Sequence, residues 1–200
     1  LGTAVLVLAA GALTIMLAGI GLRVMLGAIF VTAVSVPLLW NYMLPYQRSR
    51  VFIFFNPESD PLGDGYNIIQ SKIALGSGGL FGKGWLNGTQ AHLEFLPERS
   101  TDFIFAVMGE EFGLLGLLLL LILYLALVVR GLYISYQAQD TFTRLLAGGL
   151  SLTFFFYVFV NTGMVCGLLP VVGVPLPLVS AGGTSMVTLM VGFGMLAAIN

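Results

Sequence analysis

Charge in this chain is confined to its middle. The sequence holds 8 Lys and Arg and 9 Asp and Glu residues, and all but four of them lie in the range 48–111. The sequence on either side is almost continuously apolar. Runs of this length need a hydrocarbon surrounding, where the backbone must satisfy its own hydrogen bonds. The pattern therefore predicts membrane helices, with the chemistry confined to one loop and its margins.

Composition supports a membrane protein. Hydrophobic residues make up 58% of the chain and charged residues 8%, whereas soluble domains carry about 25% charged residues. A helix that crosses the hydrocarbon needs about 20 apolar residues. The segments that qualify are about 2–22, 24–45, 103–129, 145–168 and 182–200.

We therefore predict an all-α fold, a polytopic membrane helix bundle. Residues 1–200 would form a single membrane domain, with one large extracytoplasmic loop at 46–102. The chain starts at Leu1 rather than at an initiator Met, with no basic region before the first span. We expect it to be the C-terminal part of a longer chain.

The few cations near span ends predict the orientation. Arg23, Arg130 and Arg144 fall on one side of the bundle, and Lys and Arg are retained in short cytoplasmic loops. The 46–102 loop and the 169–181 connection then lie together on the outer face. The net charge of −1 and the absence of a basic stripe argue against a nucleic-acid partner.

Two features of the loop have competing interpretations. Residues 68–75 read as a short amphipathic helix at the membrane interface, with Ile69, Ile73 and Leu75 on its apolar side. The following Gly-rich run, 76–88, has backbone N–H groups and Lys83 suited to wrapping an anion. The other interpretation, which the run taken alone favours, is a flexible re-entrant or interfacial loop. The run also lacks the Ser or Thr that follows the Lys of a P-loop.

Asp102 lies where the polar loop meets the apolar segment that opens at Phe103. On spacing alone it fits an ordinary helix N-cap, and a functional carboxylate is the other interpretation. Glu110 and Glu111 follow about two turns into the span, where carboxylates are costly unless paired, solvated or protonated. They indicate a cavity below Asp102, or a cation from a helix outside this chain.

The connection at 169–185 is apolar but contains three prolines and three glycines. Irregular backbone is tolerated at membrane depth only where it is buried in protein or lines a cavity. We expect a broken, re-entrant segment on the side of Asp102, with Asn161 donating hydrogen bonds to its freed carbonyls. A helix break that merely packs is the alternative.

Seven runs of the sequence carry a family resemblance. They are Asp60–Gly63, Ile69–Ala74, Gly76–Leu80, Gly82–Gly84, Leu96–Arg99, Thr101–Ala106 and Gly167–Ser180. Together they resemble the SEDS family (RodA/FtsW/SpoVE), and within it the rod-shape branch. The resemblance extends in order through the chain and implies a fold of about ten helices, of which this chain would supply roughly the C-terminal half.

The resemblance implies a peptidoglycan glycosyltransferase of cell elongation and rod-shape maintenance. Its substrate would be lipid II, a disaccharide-pentapeptide on undecaprenyl pyrophosphate, polymerised with inversion by displacement of the pyrophosphate. Its place would be the bacterial cell inner (plasma) membrane, with the active site facing the periplasm. A class B penicillin-binding protein transpeptidase and other elongation-complex membrane proteins would be partners.

The resemblance also assigns roles to residues. The family's essential carboxylate maps onto Asp102, as general base or as ligand of a divalent cation, Mg²⁺ or Mn²⁺. Glu98 would be a second metal ligand or would hold a cation. Further substrate-binding candidates are the cations and hydrogen-bonding side chains nearby. They are Lys72, Lys83, Arg99, Gln70, Ser71 and Ser180.

Two other classes of function share these features. A lipid-linked precursor flippase or transporter would also use broken helices and intramembrane carboxylates. A non-catalytic scaffold that activates a transpeptidase is the third hypothesis, and it predicts that Asp102 is replaceable without loss of polymer.

Overall fold

A computed structural model of the protein describes residues 2–56, 63–89 and 100–199. Within these ranges the secondary structure is helical and contains no strand, as the all-α prediction requires. The helices are α1 (Gly2–Leu17), α2 (Leu22–Tyr42), α3 (Pro45–Phe55), α4 (Asp64–Gly78), α5 (Ile104–Gln137), α6 (Thr141–Val165) and α7 (Gly183–Ile199).

Helices occupy all the predicted spans, but their lengths differ from the prediction. Among the described residues, α5 and α6 are long and apolar enough to cross a membrane, and Leu6–Leu17, Leu26–Ser35 and Gly183–Ile199 are shorter apolar helices. The predicted end of the third span near 129 is too early, because α5 runs on to Gln137. Its part beyond Gly113, residues 114–137, rises about 36 Å, more than the hydrocarbon thickness of about 30 Å.

The described part of the predicted large loop contains two helices. The first, α3, begins with Pro45, whose fixed φ suits the first turn of a helix. The second, α4, is longer than the predicted 68–75. Ser71, on its predicted polar side, is buried, and α4 packs on α5 through small residues.

Close approach explains that packing. A Cβ on Gly78 would overlap the carbonyl oxygen of Gly109 in α5, so the two backbones touch where neither residue has a side chain. Small residues let membrane helices approach in this way. The buried stripe of α4 is therefore Ile68, Ser71 and Ala74, and the helix lies against the bundle.

The core lies between α5, α6 and α7. The ring of Phe154 in α6 packs edge-on against Tyr124 of α5 and Phe193 of α7, with centroids 5.7 and 5.3 Å apart. A Cβ on Gly131 would overlap Ser151 Oγ, so α5 and α6 also meet closely further along. These contacts make a firm platform for the segments at the ends of the helices.

Candidate functional site

Asp102 lies in the turn that precedes α5. The N-cap of α5 is Phe103, and no side chain caps the helix by a hydrogen bond. Asp102 itself is half-buried. The helix-cap and functional interpretations of this carboxylate both stay predictions, and its position is described by the groups that hold its turn.

Asn161 of α6 fixes the backbone around Asp102. Its side-chain Nδ2 donates to the carbonyl oxygen of Asp102 at 2.8 Å and to that of Val174 at 2.7 Å. Asn161 is fully buried, so these bonds form away from water. One amide thus joins α6, the turn before α5 and the broken segment, which in the structure comprises residues 166–182 between α6 and α7. This confirms the predicted role of Asn161.

The broken segment also donates hydrogen bonds to the turn that contains Asp102. The Ser180 hydroxyl donates to the Thr101 carbonyl at 2.5 Å and accepts from the Leu176 N–H at 2.7 Å. The Ala181 N–H donates to the Ser100 carbonyl at 2.9 Å. A hydroxyl has one hydrogen to donate, and Ser180 uses it within the fold. Substrate binding by Ser180 stays a prediction.

Gly173 brings the broken segment against the carboxylate of Asp102. A Cβ built on Gly173 would lie 3.4 Å from Asp102 Oδ2. Gly173 has a φ of 72°, a left-handed conformation that glycine adopts without steric cost. The segment therefore lies on the side of Asp102, as the sequence predicts.

The next candidates lie where α4 meets the end of α6. The Ser71 hydroxyl is within 2.9 Å of the Ile68 carbonyl and 3.0 Å of the Val165 carbonyl, and Ser71 is fully buried. Val165 is one turn beyond Asn161, so α4 is tied to the end of α6 that holds Asp102.

Lys72 and Gln70 differ from Ser71 in exposure. Lys72 is exposed, with its ammonium end lying over Gly167, where a side chain would overlap it. Gln70 is half-buried. Because Gly167 has no side chain, the Lys72 ammonium can lie at the same end of α6 as Ser71.

Lys83 has a different environment. Its ammonium lies 2.7 Å from Glu110 Oε1 and 3.0 Å from Thr89 Oγ1. The N–H and the hydroxyl of Thr89 each donate to the same Glu110 oxygen at 2.9 Å. Glu110, predicted to face a cavity or a cation from outside the chain, is instead paired within it.

The Gly-rich segment pairs with a break in α5. At Gly113 the helix has φ 67° and ψ −168°, so the carbonyls before it lose their helical partners. The N–H groups of Lys83 and Gly84 donate to the carbonyls of Glu110 and Glu111 at 2.9 Å each. Neither the anion-binding interpretation nor the flexible-loop interpretation anticipated this pairing. The N–H groups of Lys83 and Gly84 bond to α5 and not to an anion.

The pairing is reciprocal. The N–H groups of Leu114 and Leu115 donate to the carbonyls of Gly79 and Leu80 at 2.9 and 3.2 Å. A Cβ on Gly82 would overlap the Glu111 carbonyl, so glycine is required for the approach. The 79–84 segment and the first turns of α5 therefore behave as one unit.

The predicted metal ligands are described only in part. Glu98 and Arg99 lie outside the described residues, so their roles stay predictions. No three His, Cys, Asp or Glu side chains gather among residues 2–56, 63–89 and 100–199. Mg²⁺ is often held by one or two carboxylates together with substrate phosphates, and Asp102 fits such a set.

A family model described as the cell cycle protein FtsW, RodA and SpoVE matches residues 1–200. The chain belongs to the FtsW/RodA/SpoVE family. This family member is 58% identical over 201 residues to the peptidoglycan glycosyltransferase MrdB of Escherichia coli (strain K12), covering 100% of this chain and 54% of MrdB. It is 47% identical over 156 residues to the peptidoglycan glycosyltransferase RodA of Treponema pallidum (strain Nichols), covering 78% and 36% of the two chains.

A solved structure extends the likeness to the fold. That structure is described as showing the structural coordination of polymerization and crosslinking by a peptidoglycan synthase complex. This chain matches it with a TM-score of 0.80 and 35% sequence identity. The match covers 100% of this chain and 55% of that one. This FtsW/RodA/SpoVE family member is thus a polytopic membrane protein, and the chain spans about half the length of the curated relatives it matches.

Proposed function

We propose that this family member, within its full-length protein, is a glycosyltransferase that polymerises lipid II into glycan strands for cell elongation. The observation that carries the proposal is the placement of Asp102. Its turn is held by Asn161 and Ser180, and its carboxylate faces Gly173. The names of the relatives, peptidoglycan glycosyltransferases, support the same reaction.

The chemistry assigned to Asp102 is general base catalysis. The 4-hydroxyl of the acceptor sugar attacks the anomeric carbon of the donor, and the Asp102 carboxylate takes the hydroxyl proton. The bond from the anomeric carbon to the pyrophosphate oxygen breaks, and the undecaprenyl pyrophosphate leaves with the electron pair. A single displacement of this kind inverts the anomeric centre.

Negative charge on the leaving group must also be stabilised. Lys72 is the described cation we assign to this task, because it is exposed at the end of α6 that holds Asp102. Lys83 is a weaker candidate, since Glu110 already neutralises it. In the alternative role of Asp102, as ligand of a divalent cation, Mg²⁺ or Mn²⁺, that cation would supply the neutralisation.

We place this site on the outer face of the bacterial inner membrane. Asp102 precedes the start of α5, whereas Arg130 and Arg144 lie towards the opposite end of the α5–α6 hairpin, where the positive-inside rule predicts the cytoplasm. The similar solved chain belongs to a peptidoglycan synthase complex. We therefore propose a class B penicillin-binding protein transpeptidase as partner, within the elongation complex.

The test is polymerisation of labelled lipid II by the full-length protein with its transpeptidase partner. Asp102→Asn is nearly isosteric and removes the base, so we expect the rate to fall by about 10²–10⁴-fold. Asp140→Asn is the matched control, because Asp140 is an exposed carboxylate at the other end of the bundle. Both variants must show the thermal unfolding midpoint of wild type.

Full-length strands from Asp102→Asn would overturn the proposal. Transbilayer movement of a fluorescent lipid-linked sugar by that variant would then favour a flippase. Stimulated crosslinking without such movement would favour a scaffold.

A further inference from the structure

An apolar groove lies between α6 and α7. Its volume is about 360 Å³, and its lining includes Leu150 and Phe154 of α6 and Leu189 and Phe193 of α7. Residues 173–175 of the broken segment cover one end. The volume is at the lower end of the range of about 300–1,000 Å³ that ligand sites occupy, so the groove can take part of a long chain.

Most residues of the lining are apolar, and three of its five hydroxyl groups bond to the protein's own backbone. Thr153 donates to the Gly149 carbonyl at 2.7 Å, and Thr188 donates to the Thr184 carbonyl at 2.9 Å. Ser185 likewise donates to the Gly182 carbonyl. The other two hydroxyl groups belong to Tyr157 and Thr184. The predominantly apolar lining favours an apolar occupant.

The groove begins beside Asp102. Gly173 lines the groove, and a Cβ on Gly173 would lie 3.4 Å from Asp102 Oδ2. From there the lining follows α7 from Thr184 to Leu196, a rise of about 18 Å. This is more than half of the hydrocarbon thickness of about 30 Å. The groove thus runs from the candidate catalytic carboxylate into the bilayer.

We infer that this groove binds the isoprenoid chain of the lipid-linked substrate, with the pyrophosphate and sugar at Asp102. The inference rests on the proposed function, which supplies a ligand with a charged head and a long apolar chain. Membrane lipid offers the same apolar contacts as the chain does, so the groove alone cannot select its occupant. The head group selects the occupant, because binding of the pyrophosphate and sugar at Asp102 raises the effective concentration of the attached isoprenoid chain at the groove.

Two glycines of α7 provide a matched pair of variants. Gly192 lines the groove, and its Cβ would lie 3.6 Å from Leu150 Cδ2. Gly194 is in the same helix with nothing within 4 Å of its Cβ position. Gly192→Leu fills the groove, whereas Gly194→Leu adds the same side chain elsewhere on α7.

The experiment uses the full-length protein with its transpeptidase partner and two donor substrates. They carry the same head group on an undecaprenyl chain or on a ten-carbon isoprenoid chain. We expect Gly192→Leu to raise KM for the long-chain donor about tenfold, with the short-chain donor unchanged. Gly194→Leu should change neither value. Equal losses for both donors would mean that another part of the protein fills the groove, and would overturn the inference.

A binding measurement separates the inference from the proposed function. Undecaprenyl pyrophosphate with a diazirine on an isoprene unit near the pyrophosphate should label peptides containing Leu189 or Phe193 on irradiation, and Gly192→Leu should abolish this labelling. Such labelling by a protein that makes no polymer would refute the proposed function but support isoprenoid binding in the groove. Polymer formation with labelling elsewhere, or equal labelling by a diazirine phospholipid, would refute the groove and keep the function.

Discussion

The ammonium of Lys83 and the carboxylate of Glu110 form an ion pair of 2.7 Å between the Gly-rich segment and the second turn of α5. Glu110 is fully buried, and its Oε1 also accepts two hydrogen bonds from Thr89. A buried charge is tolerated when it is paired and hydrogen-bonded in this way. The carboxylate in the span thus has a structural explanation.

Removal of the lysine should destabilise the protein. In Lys83→Met the buried carboxylate of Glu110 loses its counter-charge, and breaking a buried pair costs about 3–5 kcal/mol. We expect a value near the lower figure, because the Lys83 side chain is 30% exposed. The measurement is the thermal unfolding midpoint of the full-length protein in detergent.

Lys72→Met is the control for this prediction, since Lys72 is exposed and its loss should leave the midpoint unchanged. Adding Glu110→Gln to Lys83→Met should restore part of the stability, because the uncompensated charge is removed. Equal midpoints for Lys83→Met and wild type would show that the pair contributes nothing.

The glycines of the α5 break should not tolerate alanine. A Cβ on Gly113 would overlap the Gly82 nitrogen, and one on Gly82 would overlap the Glu111 carbonyl. Both residues have positive φ values, 67° and 79°, which add about 1–3 kcal/mol of strain for a residue with a side chain. We expect Gly82→Ala and Gly113→Ala to lower the yield of monodisperse protein in size-exclusion chromatography.

Gly76→Ala is the matched substitution. Gly76 lies within α4 with nothing near its Cβ position, so alanine should stabilise the helix by about 0.5–1 kcal/mol. A normal yield from Gly113→Ala would mean that the loop and the helix break can separate without loss of the fold.

Asn161→Leu should impair both stability and reaction rate. The carbonyls of Asp102 and Val174 would lose their shared donor, and an unsatisfied buried polar group costs about 1–3 kcal/mol. Because the same bond positions the turn of Asp102, we expect kcat for lipid II polymerisation to fall more than tenfold. Thr162→Val is the control, since its hydroxyl bonds only within α6. A stable Asn161→Leu variant with wild-type kcat would contradict the positioning role.

Hydropathy predicted the helices and the broken segment, because a membrane leaves the backbone few alternatives. It also led to Asn161, since freed carbonyls at membrane depth require a donor. Sequence reasoning missed the partner of Glu110, because Lys83 is 27 residues away and only the packing of α4 on α5 brings it near. Gly113 gave no signal of a break either, since glycine is common in membrane helices.

The burial of Ser71 was missed for a related reason. The sequence pattern placed Ser71 on the polar side of α4, but α4 approaches α5 closely where Gly78 meets Gly109, and Ser71 is buried. Its hydroxyl is satisfied there because it lies within 3.0 Å of two carbonyls, those of Ile68 and Val165. Complementarity between two helices decides this, and neither sequence shows it alone.

The hydrogen bonds to the turn of Asp102 also impose an order on biosynthesis. Asn161 and Ser180, which hold that turn, follow their partners by 59 and 79 residues. At about 5–20 residues per second, the ribosome adds Ser180 roughly 4–16 s after it adds Thr101. A nascent chain that ends at α5 therefore carries the carboxylate without the groups that position it, and the site is completed only when α6 and the broken segment have been added.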